Sequence, residues 1–290
     1  MWVGWALGCA VSMGMVDILS KRGLREFDPW IVGTARLGFA LPALAIPILR
    51  SGLPMLSPAF WATVAVMIPL EIAAFFFLLE ALRVAPLVET VPFLSLSPLF
   101  TVLVSWCLLG ERVTWLGFLG IGMIGAGGYL LYGHELRHGY LGPLKAMTRS
   151  RGTTLMVLVA LLYSITSTLG KRAIELSSPM AFPGIYFALL AAVFVGIHLA
   201  RGERPAAFLQ AVARRPWLLV GLGLADGLTF LIHSIGVLLA PVAYFVGVKR
   251  LSSVVSVAVG GALFQERHLP LGVAGTTCMV AGVVLLTLGR

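Results

Sequence analysis

Two adjacent cations inside an apolar stretch are the residues best placed to bind a ligand. Lys249 and Arg250 lie about nine residues into an apolar run, roughly 13 Å from its start if the run is helical. Two like charges at that depth lose hydration, so they need an acidic partner, carbonyl groups or an anionic ligand. We expect one cation to pair internally, with Asp226 or Glu71, and the other to bind a carboxylate or phosphate. The alternative is an ion-pair lock between two parts of the molecule.

Acidic side chains also occur where water is scarce. Glu71 and Asp226 each lie in the middle of an apolar run, and an offset of 155 residues superposes them. A carboxylate at the same place in two halves predicts a relay for protons or cations, whereas a tie to a hydroxyl or backbone group near Pro69 is the structural alternative. Asp17 is a further coupling candidate. Its position four residues before Lys21 favours an ion pair at a helix end over a buried acid.

A histidine shares the helix face of Asp226. Thr229 and His233 follow it at spacings of three and seven residues, which places all three side chains on one side of a helix. We expect that face to be wet and His233 to be a candidate proton carrier, with a packing role as the alternative. The same run holds no second histidine or cysteine at ligand spacing, so the sequence predicts no metal site there.

Four further residues are predicted to line a shared cavity. Arg36 and Glu89 align with Tyr186 and Tyr244 when the two halves of the chain are superposed. We expect these polar-tipped rings to line the same cavity from the other half. The alternative is that the Arg36 or Glu89 side chain reaches out to a membrane interface. Glu111 and Glu266 open short connections and are predicted to be turn and cap residues.

The composition determines which elements must hold these residues. With 59% hydrophobic residues, 11% charged residues and a mean hydropathy of +0.98, the 290-residue chain is excluded from the soluble class. A helix that spans a membrane needs about 20 apolar residues. The sequence contains ten apolar runs of about this length with short connections, and we predict that each is a spanning helix. The first run begins at Met1 without a basic segment and is predicted to be a retained span, not a signal peptide. The runs cover residues 2–20, 30–49, 59–81, 86–109, 114–132, 153–170, 180–200, 217–238, 241–263 and 269–288.

The cysteines and the connections add little further chemistry. Cys9, Cys107 and Cys278 fall inside apolar runs and are predicted to be buried thiols. The net charge of +9 is explained by basic residues that flank a membrane, so no nucleic acid is expected as a partner.

The two halves of the chain repeat each other. Offsets of 150 and then 155 residues place Lys21-Arg22 on Lys171-Arg172, Pro29 on Pro179, Pro86 on Pro241, Leu96-Ser97 on Leu251-Ser252, Glu111-Arg112 on Glu266-Arg267, Gly117 on Gly272 and Gly127 on Gly282. Five runs in each half require the second copy to cross the membrane in the opposite sense. The predicted fold is therefore an all-α membrane protein of ten helices, with inverted repeats over residues 1–145 and 146–290.

The repeated motifs resemble those of a known family. Ala85-Pro86, Leu96 to Phe100, Leu108 to Arg112 and the glycine-rich stretch from Gly117 to Gly128 are similar to the first half of the drug/metabolite transporter superfamily, EamA-like family. Ala240-Pro241, Lys249 to Ser252, Phe264 to Glu266 and Gly272 to Leu286 are similar to its second half. Gln265 departs from the pattern, because the first copy has Gly110 there. The second half also lacks a counterpart of Pro98.

The resemblance implies a secondary transporter, an exporter or exchanger, and the charges of Lys249 and Arg250 predict a small anionic or zwitterionic metabolite held between the repeats. Distant sugar-phosphate translocators of this superfamily carry a Lys-Arg pair in the corresponding helix, which implies that Lys249 and Arg250 hold the substrate. Expected partners are the substrate, membrane lipid and a proton or sodium gradient, with no cofactor, in a monomer or homodimer. The competing class is a lipid-carrier flippase or a membrane-embedded enzyme, although no catalytic motif or phosphate-binding loop is evident.

The basic residues and the family resemblance predict opposite orientations in the membrane. Thirteen lysines and arginines fall in connections on one side of the predicted membrane and five on the other. The positive-inside rule then places both termini outside, whereas members of the resembled family usually have both termini inside. The expected location is the inner membrane of a bacterial cell.

Overall fold

The protein is helical throughout the part that is described. A computed structural model describes residues 1–86, 90–131, 151–256, 259 and 270–289, and no strand occurs among them. In the first half the helices are α1 (Trp2–Leu24), α2 (Pro29–Gly38), α3 (Leu41–Ser51), α4 (Pro58–Val84), α5 (Ser97–Leu109) and α6 (Trp115–Leu131). In the second half they are α7 (Arg151–Glu175), α8 (Phe182–Ala200), α9 (Pro205–Arg214), α10 (Pro216–Gly236), α11 (Val242–Lys249) and α12 (Pro270–Leu288). Short 3₁₀ segments occupy Val91–Leu96 and Val237–Leu239.

Proline and glycine mark the helix boundaries. Pro29, Pro58 and Pro216 begin α2, α4 and α10, a position where the missing N–H costs nothing. Ser57 caps α4 by accepting a hydrogen bond of 3.2 Å from the backbone N–H of Phe60. Gly110 ends α5 with a φ of 67°, in the left-handed region that favours glycine.

Six elements are long and apolar enough to cross a membrane. Among the described residues these are Trp2–Leu24, Pro29–Ser51, Pro58–Val84, Arg151–Glu175, Phe182–Ala200 and Pro216–Leu239. Shorter apolar helices cover Phe93–Leu109, Trp115–Leu130 and Thr277–Leu288. These elements overlap nine of the ten predicted runs.

Several predicted runs are broken helices. The second run is interrupted between α2 and α3, because Pro42 has no N–H to donate back to the carbonyl of residue 38. The fourth run contains the 3₁₀ segment before α5, whose first turn holds Pro98. In the ninth run α11 ends at Lys249, and residues 252–256 are helical again. The Ser253 hydroxyl donates 2.7 Å to the carbonyl of Arg250 at that break.

The outside of the helices is apolar, as a lipid environment requires. Trp61, Leu103, Trp106, Trp115 and Leu228 are all at least 46% exposed although each lies in an apolar helix. Cys107 is also exposed and Cys278 is half-buried, so the prediction that all three cysteines are buried is confirmed only for Cys9. The sequence could not show which face of α5 points outward. The chain is an integral membrane protein that crosses the bilayer several times.

Candidate functional site

A polar cavity lies among helices from both halves of the chain. It encloses about 900 Å³ of space, part of it open to solvent. Helices α1, α2 and α4 line it from the first half, and α7, α8, α10 and the end of α11 from the second. Eight residues that the sequence analysis singled out reach this cavity: Arg36, Glu71, Tyr186, Asp226, Thr229, His233, Lys249 and Arg250.

Arg36 and Asp226 form a buried ion pair across the cavity wall. The Arg36 Nε donates to Asp226 Oδ2 at 2.8 Å, and Nη2 donates to Oδ1 at 3.1 Å. Their side chains are only 4% and 8% exposed, and the guanidinium lies 5.1 Å from the centre of the Phe75 ring. The alternative that Arg36 reaches out to an interface is therefore wrong. Two-pronged pairing satisfies both carboxylate oxygens and makes burial of the charges tolerable.

Arg250 is enclosed at the break in the ninth run. It is 1% exposed, and its Nε donates to the Ser97 hydroxyl of the first half at 2.7 Å. Its Nη1 has no hydrogen-bond partner among the described residues. The internal contact that was predicted for one of the two cations is thus made by Arg250, with a hydroxyl and not with a carboxylate.

Lys249 faces the cavity with its charge uncompensated by a direct contact. The side chain is half-buried, and no hydrogen bond or ion pair joins it to another described residue. The predicted partnership with Asp226 is wrong, because no ion pair joins the two side chains and Asp226 is paired with Arg36 instead. Glu71 and Asp226 interact with Lys249 only through space.

Glu71 also lines the cavity. Its carboxylate is half-buried and hydrogen-bonded to the side chain of Thr166 in α7. The symmetric counterpart, Asp226, has an arginine partner, whereas the counterpart of that arginine is Tyr186. Glu71 is therefore a carboxylate with a hydroxyl neighbour and no ion-pair partner among the described residues.

His233 and Thr229 lie on the same face of α10, as their spacing predicted. Thr229 Oγ1 donates to the carbonyl of Ala225 at 2.7 Å and lies 2.6 Å from the Ser12 hydroxyl. His233 packs edge-on against Phe245 at 5.2 Å between ring centres, and its Nδ1 has no described partner. The ring is 7% exposed and lines the cavity, which is compatible with either role considered for it.

Aromatic rings form one wall of the cavity. Tyr186 stacks on Phe182 at 5.1 Å and on Phe230 at 5.9 Å, and its hydroxyl has no described hydrogen-bond partner. Tyr244 does not belong to this wall, contrary to the prediction. Its hydroxyl lies 3.0 Å from that of Thr114, because the start of α11 packs toward α6. Glu89 lies outside the described residues.

Asp17 is a buried acid beside the cavity. It is 0% exposed, and its Oδ2 accepts a hydrogen bond of 3.0 Å from Ser256. The predicted ion pair with Lys21 is wrong, since Lys21 Nζ donates at 2.6 Å to the carbonyls of Leu82 and Ala85. Asp17 Oδ1 has no described partner.

Glu111 caps a helix other than its own. Its Oε2 accepts from the backbone N–H of Val242, the first residue of α11, at 2.8 Å. Its Oε1 accepts at 2.6 Å from Lys171, whose Nζ also donates 3.0 Å to the carbonyl of Ala240. This interaction agrees with the cap role predicted for Glu111 and fixes the start of the helix that carries Lys249. Glu266 lies outside the described residues.

Sequence reasoning missed the contribution of α7. Tyr163, Thr166 and Ser167 all line the cavity. The available signal was the density of hydroxyl residues from Ser164 to Thr168 within an apolar run, together with the alignment of Ser167 with Asp17 at an offset of 150.

The charges of the lining limit what the cavity can bind. Three cationic and two carboxylate side chains line it, so with a neutral histidine it carries one net positive charge. Within the described ranges no group of three or more histidine, cysteine, aspartate or glutamate side chains is arranged to hold a metal ion. Such a lining suits a small organic anion or zwitterion better than a cation.

The comparisons agree with this architecture. Residues 1–133 match the model of the EamA-like transporter family, as the resemblance predicted. A crystal structure of a protein, 19% identical over 96% of both chains, superposes with a TM-score of 0.67 and shares the fold. No curated protein is significantly similar in sequence. The first part of this membrane protein, residues 1–133, is therefore similar to the EamA-like transporter family.

Proposed function

We propose that the protein is a secondary transporter of a small zwitterionic or anionic metabolite, working as an exporter or exchanger in the inner membrane of a bacterial cell. The substrate is held in the cavity between the two halves, which move relative to each other so that the cavity opens to one side at a time. The EamA-like match of residues 1–133 supports transport as the activity.

The unpaired ammonium of Lys249 carries the proposal. Arg36 is bound to Asp226 and Arg250 to Ser97, which leaves Lys249 as the cavity cation without a direct partner among the described residues. An uncompensated cation at this depth is costly unless an anion joins it. A substrate carboxylate or phosphate fits this position. Glu71 offers the opposite charge for a substrate ammonium, and the aromatic wall covers an apolar portion.

Close packing of the last helix of each half supports an inverted repeat. At an offset of 155, Gly120 corresponds to Gly275 and Gly127 to Gly282. A Cβ on Gly120 would lie 2.6 Å from the carbonyl oxygen of Gly282, and one on Gly127 would lie 2.5 Å from that of Gly275. Exchanging the two halves therefore exchanges these contacts, as a two-fold axis requires. Because these glycines already pack against each other within one chain, they are not available for a contact between two copies. This packing favours a monomer.

Polar ties near the helix ends follow the same symmetry. Lys21 donates to the carbonyl of Ala85, and its counterpart Lys171 donates to Ala240, the counterpart of Ala85. The Arg215–Glu26 pair at 2.8 Å and the Arg151–Glu80 pair at 3.2 Å lie at or near helix ends on one side of the predicted membrane. The Lys171–Glu111 pair lies near helix ends on the other side. These contacts support ten crossings in two halves of opposite orientation.

We assign coupling to a proton or sodium gradient to the carboxylates that have no cationic partner among the described residues. Asp226 is neutralised by Arg36, which makes it a structural acid in this conformation. Glu71 and Asp17 have only hydroxyl partners among the described residues, so they remain the coupling candidates. His233, which is close enough to Lys249 to be affected by its charge, is the third candidate. Asp17 is tied through Ser256 to the segment that follows Lys249 and Arg250. Its protonation can thereby affect the substrate site.

Counterflow in proteoliposomes tests this function. Purified protein is loaded with an unlabelled compound and offered the labelled form, using amino acids and sugar phosphates beside their uncharged amide or unphosphorylated analogues. We expect uptake of at least one acidic compound and none of its uncharged analogue. Uptake of uncharged compounds alone, or lipid scrambling without solute uptake, would contradict the proposal.

A further inference from the structure

One ring nitrogen of His233 is open to the substrate cavity. The residue is 7% exposed and lines that cavity. Its Nδ1 is enclosed and has no hydrogen-bond partner among the described residues. Nε2 is not enclosed in this way, and it forms no hydrogen bond with a described residue, so it is the nitrogen that faces the cavity. A proton can therefore reach the imidazole at Nε2.

The contact of His233 with α11 brings the imidazole close to Lys249. The ring lies 5.2 Å from that of Phe245, and a Cβ on Gly236 would overlap the same phenyl ring, so α10 and α11 are closely packed here. Phe245 precedes Lys249 by four residues, which places both side chains on one face of α11. His233 and Lys249 therefore line the same part of the cavity, and the charge of the lysine acts on the imidazole.

The charges that act on His233 are positive. Among the described residues they belong to Lys249 and Arg250. Asp226, two turns earlier on the same helix, is neutralised by Arg36. The other titratable groups at or beside the cavity come from α1, α4, α7 and α8, and none of them acts on the imidazole: Cys9, Asp17, Glu71, Tyr163 and Tyr186. Without a bound anion, a proton on this ring adds a third positive charge to two that repel it.

We propose that His233 takes up a proton when the acidic group of the substrate binds to Lys249, so that the substrate is transported together with a proton. This inference rests on the proposed function, because it takes Lys249 as the residue that binds the acid. The anion offsets the positive charge that disfavours an imidazolium, and the imidazolium in turn attracts the anion. Each therefore strengthens binding of the other by the same factor. The proton comes from the aqueous solution and adds to Nε2, and no bond of the substrate breaks.

The two carboxylates that are candidates for coupling respond differently to the substrate. Asp17 is fully buried and does not line the cavity, so it does not meet the substrate. Glu71 lines the cavity, but the ammonium of a zwitterionic substrate favours its charged form. Substrate binding therefore adds a proton at His233 and removes one from Glu71 if that carboxyl was protonated. The sign of the change in bound protons separates the two sites.

Calorimetry in buffers of different ionisation enthalpy counts the protons taken up on binding. The probe is an amino acid that supports counterflow or, where only sugar phosphates do, the matching sugar sulfate, because the charges of these probes do not change between pH 6 and 8. We expect uptake of about half a proton per molecule bound, which over two pH units raises the affinity about tenfold from pH 8 to pH 6. His233→Gln should abolish both effects. The control His198→Gln changes a buried histidine of α8 that does not line the cavity, and it should keep both.

Nuclear magnetic resonance of protein labelled with carbon-13 histidine detects the same proton directly. The signal that disappears in His233→Gln is assigned to His233. At pH 6 we expect a larger protonated fraction of this imidazole with the probe bound than without it, and Lys249→Gln should produce the same change without the probe.

Four results would overturn the proposal: binding with no proton uptake, a net release of protons, unchanged uptake in His233→Gln, or loss of uptake in Asp17→Asn alone. Each of them leaves the proposed function intact, because an acidic compound still binds. Failure of every acidic compound to bind would overturn the proposed function as well.

Discussion

The guanidinium of Arg36 donates two hydrogen bonds, of 2.8 and 3.1 Å, to the carboxylate of Asp226 and so connects the first half of the chain to the second. This ion pair decides the roles of the neighbouring charges. Asp226 is neutralised by Arg36, and no ion pair joins it to Lys249, whose ammonium faces the cavity. The two halves thus meet at a structural ion pair beside the proposed substrate position.

Breaking this pair on one side should be strongly destabilising. Arg36→Gln or Asp226→Asn leaves a buried charge uncompensated, and we expect a loss of about 3–5 kcal/mol in the free energy of unfolding. The double variant Arg36→Met/Asp226→Leu should recover most of this loss, because it removes both charges and keeps apolar volume. Unfolding in detergent measures the three variants. Single variants as stable as the wild type would show that the pair contributes nothing.

The packing of α6 against α12 predicts a sharp difference between two glycines. A Cβ at Gly120 would overlap the carbonyl of Gly282 and the side chain of Leu286, whereas a Cβ at Gly122 meets nothing within 4 Å. Gly120→Ala should cost about 1–3 kcal/mol through overpacking. Gly122→Ala should be neutral or slightly stabilising, since alanine favours helix. Thermal unfolding of both variants in the same detergent is the measurement, and equal melting temperatures would contradict the packing.

Glu111 and Lys171 are predicted to hold α11, and with it Lys249, in place. Glu111→Gln weakens two charge-assisted hydrogen bonds, each worth about 1.5–3 kcal/mol. We expect weaker substrate binding together with a lower melting temperature, although Glu111 does not line the cavity. Arg112→Gln, at an adjacent position, is the control. Unchanged binding in a folded Glu111→Gln variant would show that the start of α11 does not depend on this carboxylate.

Coupling can be separated from binding at Glu71 and Asp17. Glu71→Gln and Asp17→Asn keep the shape of each side chain and remove its charge. If either acid carries the coupling proton or binds sodium, its variant should retain exchange while it loses concentrative uptake under an imposed gradient. Proteoliposome assays with and without a proton or sodium gradient provide both readouts. Full concentrative uptake in both variants would make the two acids structural.

The membrane class and the group of cavity residues followed from the sequence because they depend on local properties. Hydropathy alone predicts apolar helices, and charged residues in their interiors converge on a cavity because each must avoid lipid. Lys249, Glu71 and His233 were found in this way. The internal repeat showed that Asp226 occupies the position in the second half that Glu71 occupies in the first.

The errors concern partners, which depend on the geometry between helices. Spacing within α1 predicted that Asp17 pairs with Lys21. Lys21 instead donates to the carbonyls of Leu82 in α4 and of Ala85, which follows that helix, and Asp17 accepts a hydrogen bond from Ser256. Alignment of the halves placed Tyr244 with the cavity residues, whereas the packing of α11 directs it to Thr114. Sequence periodicity identifies a helix face, and only the packing of the other helices determines what that face meets.

The central claim, that Lys249 binds the acidic group of the substrate, is tested most directly by binding to purified protein. Affinities of an acidic substrate found by counterflow and of its uncharged analogue are compared by calorimetry in the wild type, Lys249→Gln, Lys249→Arg and the control Arg22→Gln, whose side chain is exposed outside the cavity. We predict that Lys249→Gln weakens binding of the acidic substrate by about tenfold or more, with little effect on the analogue. Lys249→Arg should restore part of the affinity. Equal losses for both ligands, or no loss in a folded Lys249→Gln variant, would contradict the account.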